Sequence, residues 1–479
     1  MSPPEFSAAQ TEVRIDVPSR SDGFVSGVSR LLGGPIGRHA TLDGSWWSPS
    51  RVVLLTATVC YLIGVFWRLP CRVTAPGQAP DSFKLMCYSD IPLLYPGRGL
   101  MAGNIPYLQS GGYDTLEYPP LTGWFLELER RLSALLGAQQ GLDLSDVAQV
   151  HSTLVFVDVN TVLLGALFLV VVWAQLRITP SRPWDAMMLA VSPCVVTAAL
   201  INWDLFAVAL TSLACLLWSR RRPGWAGALL GLGMAAKLYP ALLLGPLFLL
   251  CLRSRRMRAY VILLGAAAAG WLAANLPVLL WAPDAWIYFW RFNSQRGADL
   301  GSIWYVASLA GYQIGHLNVV TALALLLACA GIAALILLAP RRPRFGQVAF
   351  LVVIAFAMTN KVYSPQYVLW LVPLLVLARP RWRDWWIFTA GELIYFGAIW
   401  WHLGGELSPG GGSEDRLYWL AVLVRLATEA YVAGLVVRDV LDPEHDPVRR
   451  SSLDDPAGGV LDLAPDASWI RRPDSSHVG

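Results

Sequence analysis

The sequence predicts an all-α, polytopic integral membrane protein, a bundle of about twelve transmembrane helices with a large first extracytoplasmic loop. Three observations carry that prediction. Across 479 residues the hydrophobic share is 55%, the charged share 15% and the mean hydropathy +0.49, outside the range of soluble globular chains. Apolar runs that cross a bilayer singly or in close pairs recur from Arg51 to Arg438. The arginines stand in short clusters beside those runs, as topology-setting residues do. The same clusters account for much of the net charge of +4, so no nucleic-acid partner is expected.

Taken in order, residues 1–50 are polar, rich in Ser, Pro and Gly, and read as a cytoplasmic tail with a short interfacial piece near Val25–Leu32. The first span is Val52–Leu69. With fifty mostly polar residues before it, this run is expected to stay as an anchor. Residues 70–150 then form a loop far longer than an ordinary connection, rich in Asp, Glu, Arg, Tyr, Gly and Pro. Within it, Leu121–Leu136 has apolar residues at helical spacing beside Glu127, Glu129, Arg130 and Arg131, which predicts an amphipathic helix lying on the membrane. The second span is Leu154–Leu176.

Paired short runs follow. Ala186–Leu200 and Leu205–Trp218 flank Asn202-Trp203-Asp204, and Ala226–Ala236 and Ala241–Leu252 flank Lys237-Leu238-Tyr239-Pro240. Tyr260–Trp281 is a long span, followed by a polar, aromatic loop to about His316 and another span at Val319–Leu338. Val348–Met358 and Val368–Leu377 flank residues 359–367; Trp385–Trp401 and Leu417–Val437 complete the set. These spans make 51–437 the membrane domain, and 438–479 reads as a disordered cytoplasmic tail. The clusters at Arg177/Arg182, Arg220–Arg222, Arg253–Arg258, Arg341–Arg344 and Arg379–Arg383 then share one side, the cytoplasm. The loops 70–150, 201–204, 237–240, 282–316, 359–367 and 403–415 face out.

The polar chemistry gathers in those outward loops. Asp90 leads, set apart from a solvated loop carboxylate by the adjoining Tyr88 and the turns at Gly97 and Gly99. Cys71 and Cys87 share this loop and are expected to form a disulfide, while the other five cysteines lie in apolar runs. Such a bond closes about sixteen residues and contributes about 3 kcal/mol of ordering. Glu117 in Glu-Tyr-Pro-Pro fits two readings, a carboxylate for sugar hydroxyls or part of a rigid lead-in to the amphipathic helix. Lys237, Arg291, Arg296 and Lys361 stand at the outer ends of apolar runs. A single such cation snorkels to headgroups, but the group together suits an anionic lipid phosphate. Asp204 is expected to cap the next helix or pair with Lys237. Arg425 sits four residues before Glu429 and in reach of mid-span Glu392, reading as a buried clamp. No histidine has metal-ligand spacing and no nucleotide-binding glycine pattern occurs, so neither metal nor cofactor is expected.

With these residues in view, the chain resembles the actinobacterial polyprenyl-phosphate-dependent mannosyltransferases of glycosyltransferase family 87, which have the membrane-embedded GT-C fold. The resemblance rests on Asp90 with Gly97-Arg-Gly, Glu117-Tyr-Pro-Pro, Asn202-Trp-Asp, Gly231-Leu-Gly with Lys237-Leu-Tyr-Pro, Phe292 to Asp299, and Asn360-Lys-Val-Tyr-Ser-Pro-Gln-Tyr. It implies transfer of a sugar, usually mannose, from a polyprenyl phosphate to an extracytoplasmic glycan or glycolipid. Asp90 matches the family's general base, and a lone base suits inversion. On this reading Lys237, Arg296 and Lys361 stabilise the departing phosphate, while Tyr88, Tyr107, Trp304 and Tyr363 line the sugar and prenyl contacts, with Glu117 and Asp204 also in the substrate site. The partners are membrane lipids, the lipid-linked donor and the acceptor. A pentosyl transfer from the same carrier, as by an arabinofuranosyltransferase, is the near alternative. A secondary transporter or flippase is the distant one, since it calls for charged sites at mid-membrane between internal repeats.

Overall fold

The computed structural model describes Val28 and residues 47–72, 81–108, 111–407 and 415–468. Most of the polar N-terminal segment lies outside the described residues.

Helix α1 (Pro49–Arg68) begins where the Ser48 hydroxyl accepts the Arg51 N–H and Pro49 takes the first turn. A short turn ends at Cys71, which is bonded to Cys87 with the Cα atoms 6.0 Å apart. The loop carries α2 (Ile91–Gly97) and α3 (Pro120–Leu135), and α4 (Asp146–Ile178) leads back across the bundle. In α3 the polar residues Glu127, Glu129 and Arg130 face the protein, while Leu128, Leu135 and Leu136 are exposed. The short apolar run Ala186–Leu200 folds as two pieces, α5 (Met187–Ala190) and α6 (Pro193–Ala198). Pro193 lacks an N–H to continue the ladder, so the helix breaks before it.

Helices α7 (Asp204–Ser219), α8 (Pro223–Ala236) and α9 (Leu244–Arg253) follow, then α10 (Met257–Trp281). A Cβ built on Gly227 or Gly231 lies 2.1 and 2.0 Å from the carbonyls of Leu263 and Ala267, so the absent side chains are what let α8 and α10 approach backbone to backbone. Beyond α10 come α11 (Pro283–Gln295), β1 (Asp299–Leu300), α12 (Ile303–Leu309), α13 (Leu317–Leu338), α14 (Phe345–Thr359), β2 (Val362–Tyr363), α15 (Val368–Ala378), α16 (Trp382–Leu403) and α17 (Arg416–Leu441). Strands β1 and β2 pair in parallel, Asp299 with Val362 and Leu300 with Tyr363.

The whole is an all-α polytopic membrane protein. Among the described residues five helices, α1, α4, α10, α13 and α17, are long and apolar enough to cross a membrane. Every residue of α15 is buried, which is why it is apolar all round, whereas α13 buries only Ile336 and presents leucines outward at the rim. Successive passages alternate between two ends of the bundle. One end carries the 70–150 loop and is called here the loop end; the other collects the arginine clusters.

At the arginine end the sequence reading of residues 438–479 as disordered is corrected for residues 438–468. Helix α17 runs on to Leu441, and residues 442–468 lie as a strap over the helix ends. Buried Arg344 donates to Asp446 at 2.7 Å and to the carbonyls of Leu377 and Ala378. Arg253 holds Asp466 at 2.9 Å, Arg341 holds Asp454 at 2.6 Å and Arg342 takes the carbonyl of Ala464 at 2.7 Å. Arg379 joins Asp384 to Asp439. Asp446, Asp454 and Asp466 look like acids of a solvated tail, yet each meets an arginine from far upstream. Residues 469–479 lie outside the described residues.

Candidate active site around Asp90

Asp90 is positioned from three directions. Its N–H donates to the Ile201 carbonyl at 2.7 Å and the neighbouring Ser89 hydroxyl to Leu200 at 2.7 Å, pinning the loop to the turn before α7. The Tyr88 hydroxyl donates to Asp90 Oδ1 at 2.9 Å, and Asn202 Nδ2 lies 3.4 Å from Oδ2. The Tyr88 ring is held between Phe83 and Trp400, with centroids 5.2 and 5.1 Å away. The disulfide at Cys87 anchors this strand of loop one residue earlier. Burial raises the Asp90 pKa above the usual carboxylate value. The Tyr88 and Asn202 hydrogen bonds and the charge of Lys237 oppose that rise, and the charge of Glu117 adds to it. A half-buried carboxylate with a raised pKa, held by two side chains, is a better proton acceptor than a solvated one.

Lys237 stands beside it. Its ammonium donates to Asp204 Oδ2 at 3.0 Å and lies 5.1 Å above the Tyr118 ring and 6.0 Å from that of Tyr367. Fully buried Asp204 also accepts from Trp370 Nε1 at 2.7 Å. The pairing with Lys237 is one of the two roles expected for Asp204. The capping role belongs to Asn202, whose Oδ1 accepts the Asp204 N–H at 3.1 Å. Glu117 forms a two-point contact with Arg98, at 2.9 and 3.1 Å, close enough for its charge to act on Asp90.

A second cationic group lies at the same end. Lys361 donates to Asn318 Oδ1 at 2.5 Å and to the Ser294 carbonyl at 3.4 Å. Among the described residues no carboxylate pairs with it, and burial together with the charge of Arg296 lowers its pKa. Arg296 itself pairs with Asp299 at 2.6 Å. The three cations expected to act together thus form two subsites. Lys237 is neutralised by a buried acid, and the Lys361/Arg296 pair carries the uncompensated charge.

Of the other expected lining residues, Tyr88 reaches Asp90, as described. The Tyr107 hydroxyl is spent on the carbonyls of Tyr118 and Pro119, both at 2.9 Å, so it props the Glu117–Pro120 turn. Trp304 Nε1 donates to the Thr359 carbonyl at 2.9 Å. Tyr363 is fully buried, its hydroxyl on Glu392 at 2.9 Å, and faces the bundle interior. No group of three or more His, Cys, Asp or Glu residues able to hold a metal occurs among the described residues.

Sequence reasoning left Asn202, Tyr118 and Arg98 without roles, although all three lie inside quoted motifs. It also missed Glu129, which is buried and accepts from Trp203 Nε1 at 2.8 Å beneath the Asn202 turn. The signal for Glu129 was an acid on the inner face of an amphipathic helix, opposite an indole that needed an acceptor.

Fold and site together define a polytopic membrane protein with a loop-borne carboxylate and cationic subsites at one end. Residues 147–359 match the family model of glycosyltransferase family 87. The matched stretch contains Asn202, Asp204, Lys237 and Arg296; Asp90 precedes it and Lys361 follows it. No curated protein matches the chain.

Proposed function

We propose that this protein is a GT-C-type glycosyltransferase that moves a sugar, mannose in the first instance, from a polyprenyl phosphate to a glycan or glycolipid hydroxyl. The loop end faces away from the cytoplasm, and the arginine end and both tails face it. The observation that carries the reading is the placement of one Tyr- and Asn-held carboxylate, Asp90, at the same end as an uncompensated lysine, Lys361. The family match supports the reaction class.

In the proposed reaction the acceptor hydroxyl gives its proton to Asp90 as its oxygen attacks the anomeric carbon. The bond from that carbon to the phosphate oxygen breaks, and polyprenyl phosphate leaves with the electron pair. One displacement inverts the anomeric centre. Lys361 and Arg296 stabilise the growing phosphate charge at the depth where a prenyl chain enters the hydrocarbon. Lys237 offsets the charges of Asp90 and Asp204, and Glu117 with Arg98 receives neighbouring sugar hydroxyls.

The test is transfer by purified protein from radiolabelled polyprenyl-phosphate mannose and, in parallel, polyprenyl-phosphate arabinose to a panel of glycan acceptors. Mannose transfer without added metal is the expected result. Transfer from the arabinosyl donor alone would replace the sugar assignment, and no turnover with either would remove the reading.

A further inference from the structure

Behind Lys361 the chain builds something a loop does not require. Strands β1 and β2 are two residues each, yet they are tied from both sides: the Asp299 N–H donates to the Lys361 carbonyl at 2.9 Å and the Gly301 N–H to the Tyr363 carbonyl at 3.3 Å. Leu300 between them has φ +41°, in the left-handed region that a branched side chain avoids. Such a residue keeps its conformation only when its surroundings over-determine it.

Those surroundings are a buried set of side chains from α16 and α17. Arg425 is fully buried; its Nη2 donates to the Gly301 carbonyl at 2.9 Å and its guanidinium lies 3.6 Å from the Tyr363 ring centroid. The Tyr395 hydroxyl donates to the Tyr363 carbonyl at 2.6 Å, and the Tyr363 hydroxyl to Glu392 at 2.9 Å. Glu429 accepts from Arg425 at 3.3 Å. The Tyr395 ring packs so closely on Gly301 that an added Cβ would meet it at 2.4 Å. Arg425 and Tyr395 thus hold the strand carrying Asp299, the partner of Arg296, against the one that follows Lys361.

We infer that Arg425, Tyr395 and Tyr363 are positioning residues, a clamp inside the bundle that sets where Lys361 and Arg296 stand. A clamp of charge and aromatic rings suits the task, because a guanidinium fixes carbonyl and ring together with a geometry that apolar packing does not specify. The consequence for donor binding rests on the phosphate role proposed for Lys361; the clamp itself does not.

The test uses the full chain in detergent or nanodiscs with two variants. Tyr395→Phe removes one hydroxyl and keeps the ring, and Arg425→Gln removes the charge. Hydrogen exchange should rise about fivefold or more at residues 299–303 and 360–364 in Tyr395→Phe, the scale of one lost hydrogen bond, and stay unchanged at 86–98. The KM for polyprenyl-phosphate mannose should rise about fivefold, with a fall in kcat and acceptor KM little changed. In a Lys361→Ala background Tyr395→Phe should raise it no further. Arg425→Gln should exceed Tyr395→Phe in each readout; if it does not fold, Tyr395→Phe decides alone. Unchanged exchange at both strands, or additive effects with Lys361→Ala, would overturn the clamp. Should Lys361→Ala leave donor KM untouched, the phosphate reading falls and the exchange result still decides the clamp.

Discussion

The two ends of this bundle differ in how completely they pair charge. At the arginine end Arg344, Arg253, Arg341 and Arg379 each meet a carboxylate, and backbone carbonyls take up further donors. At the loop end Asp90 is half-buried with neutral hydrogen-bond donors, and among the described residues Lys361 has an amide and a carbonyl for partners and no carboxylate. A network of paired charges holds a shape, whereas a buried group lacking its counter-charge stabilises an opposite charge brought by something else. The comparison teaches where to look for chemistry: at the end where the pairing is left incomplete.

Four changes bear on it. Asp90→Asn keeps shape and removes the proposed proton acceptor, so transfer should fall by about two to four orders of magnitude with donor binding little changed, read as kcat and KM against polyprenyl-phosphate mannose. At the opposite end Arg344→Ala leaves Asp446, which is fully buried, without its partner and should cost about 3–5 kcal/mol, read as a lower unfolding temperature in detergent. Turnover per folded molecule should be near wild type; a selective loss of kcat there would blur the division between the ends. Lys361→Ala should weaken donor binding and turnover by about 2–4 kcal/mol, while unfolding moves little. Lys237→Ala would differ by also destabilising the fold, because Asp204 is fully buried and paired with it.

The smallest effect concerns pH. Transfer should be lost as pH falls through the Asp90 pKa, which burial holds above the usual carboxylate range. Tyr88→Phe removes a donor that favours the ionised form, so the acid limb of kcat/KM should move to higher pH, with a loss of about tenfold at neutral pH. A limb moving to lower pH would mean that another group titrates.

Much of this was legible in the sequence for a stated reason. Apolar runs reveal the fold class because lipid imposes them, and Asp90 stood out because Tyr88 and a cysteine adjoin it in an unusually long loop. The Asp204–Lys237 pair was legible because both stand at the outer ends of apolar runs, and the Arg425–Glu429 pair because four residues on one helix bring them together. The strap was not. Asp446, Asp454 and Asp466 sit in a Pro- and Gly-containing polar stretch whose order depends on arginines about a hundred or more residues upstream, a relation that local pattern does not encode. Tyr363 was misplaced for a similar cause. Its motif lies at a loop, but Arg425 and Glu392, from later helices, draw the ring inward.

The strap has a consequence for how the molecule is made. Arg253, Arg341, Arg342 and Arg344 belong to segments synthesised well before residues 446–466, which hold their acidic partners. Until those acids have left the ribosome, Arg253, Arg341, Arg342 and Arg344 lack their carboxylate partners, and the helix ends they join are free to splay. Closure of that end is therefore a late step, and a chain cut after Leu441 would insert its helices yet never complete it.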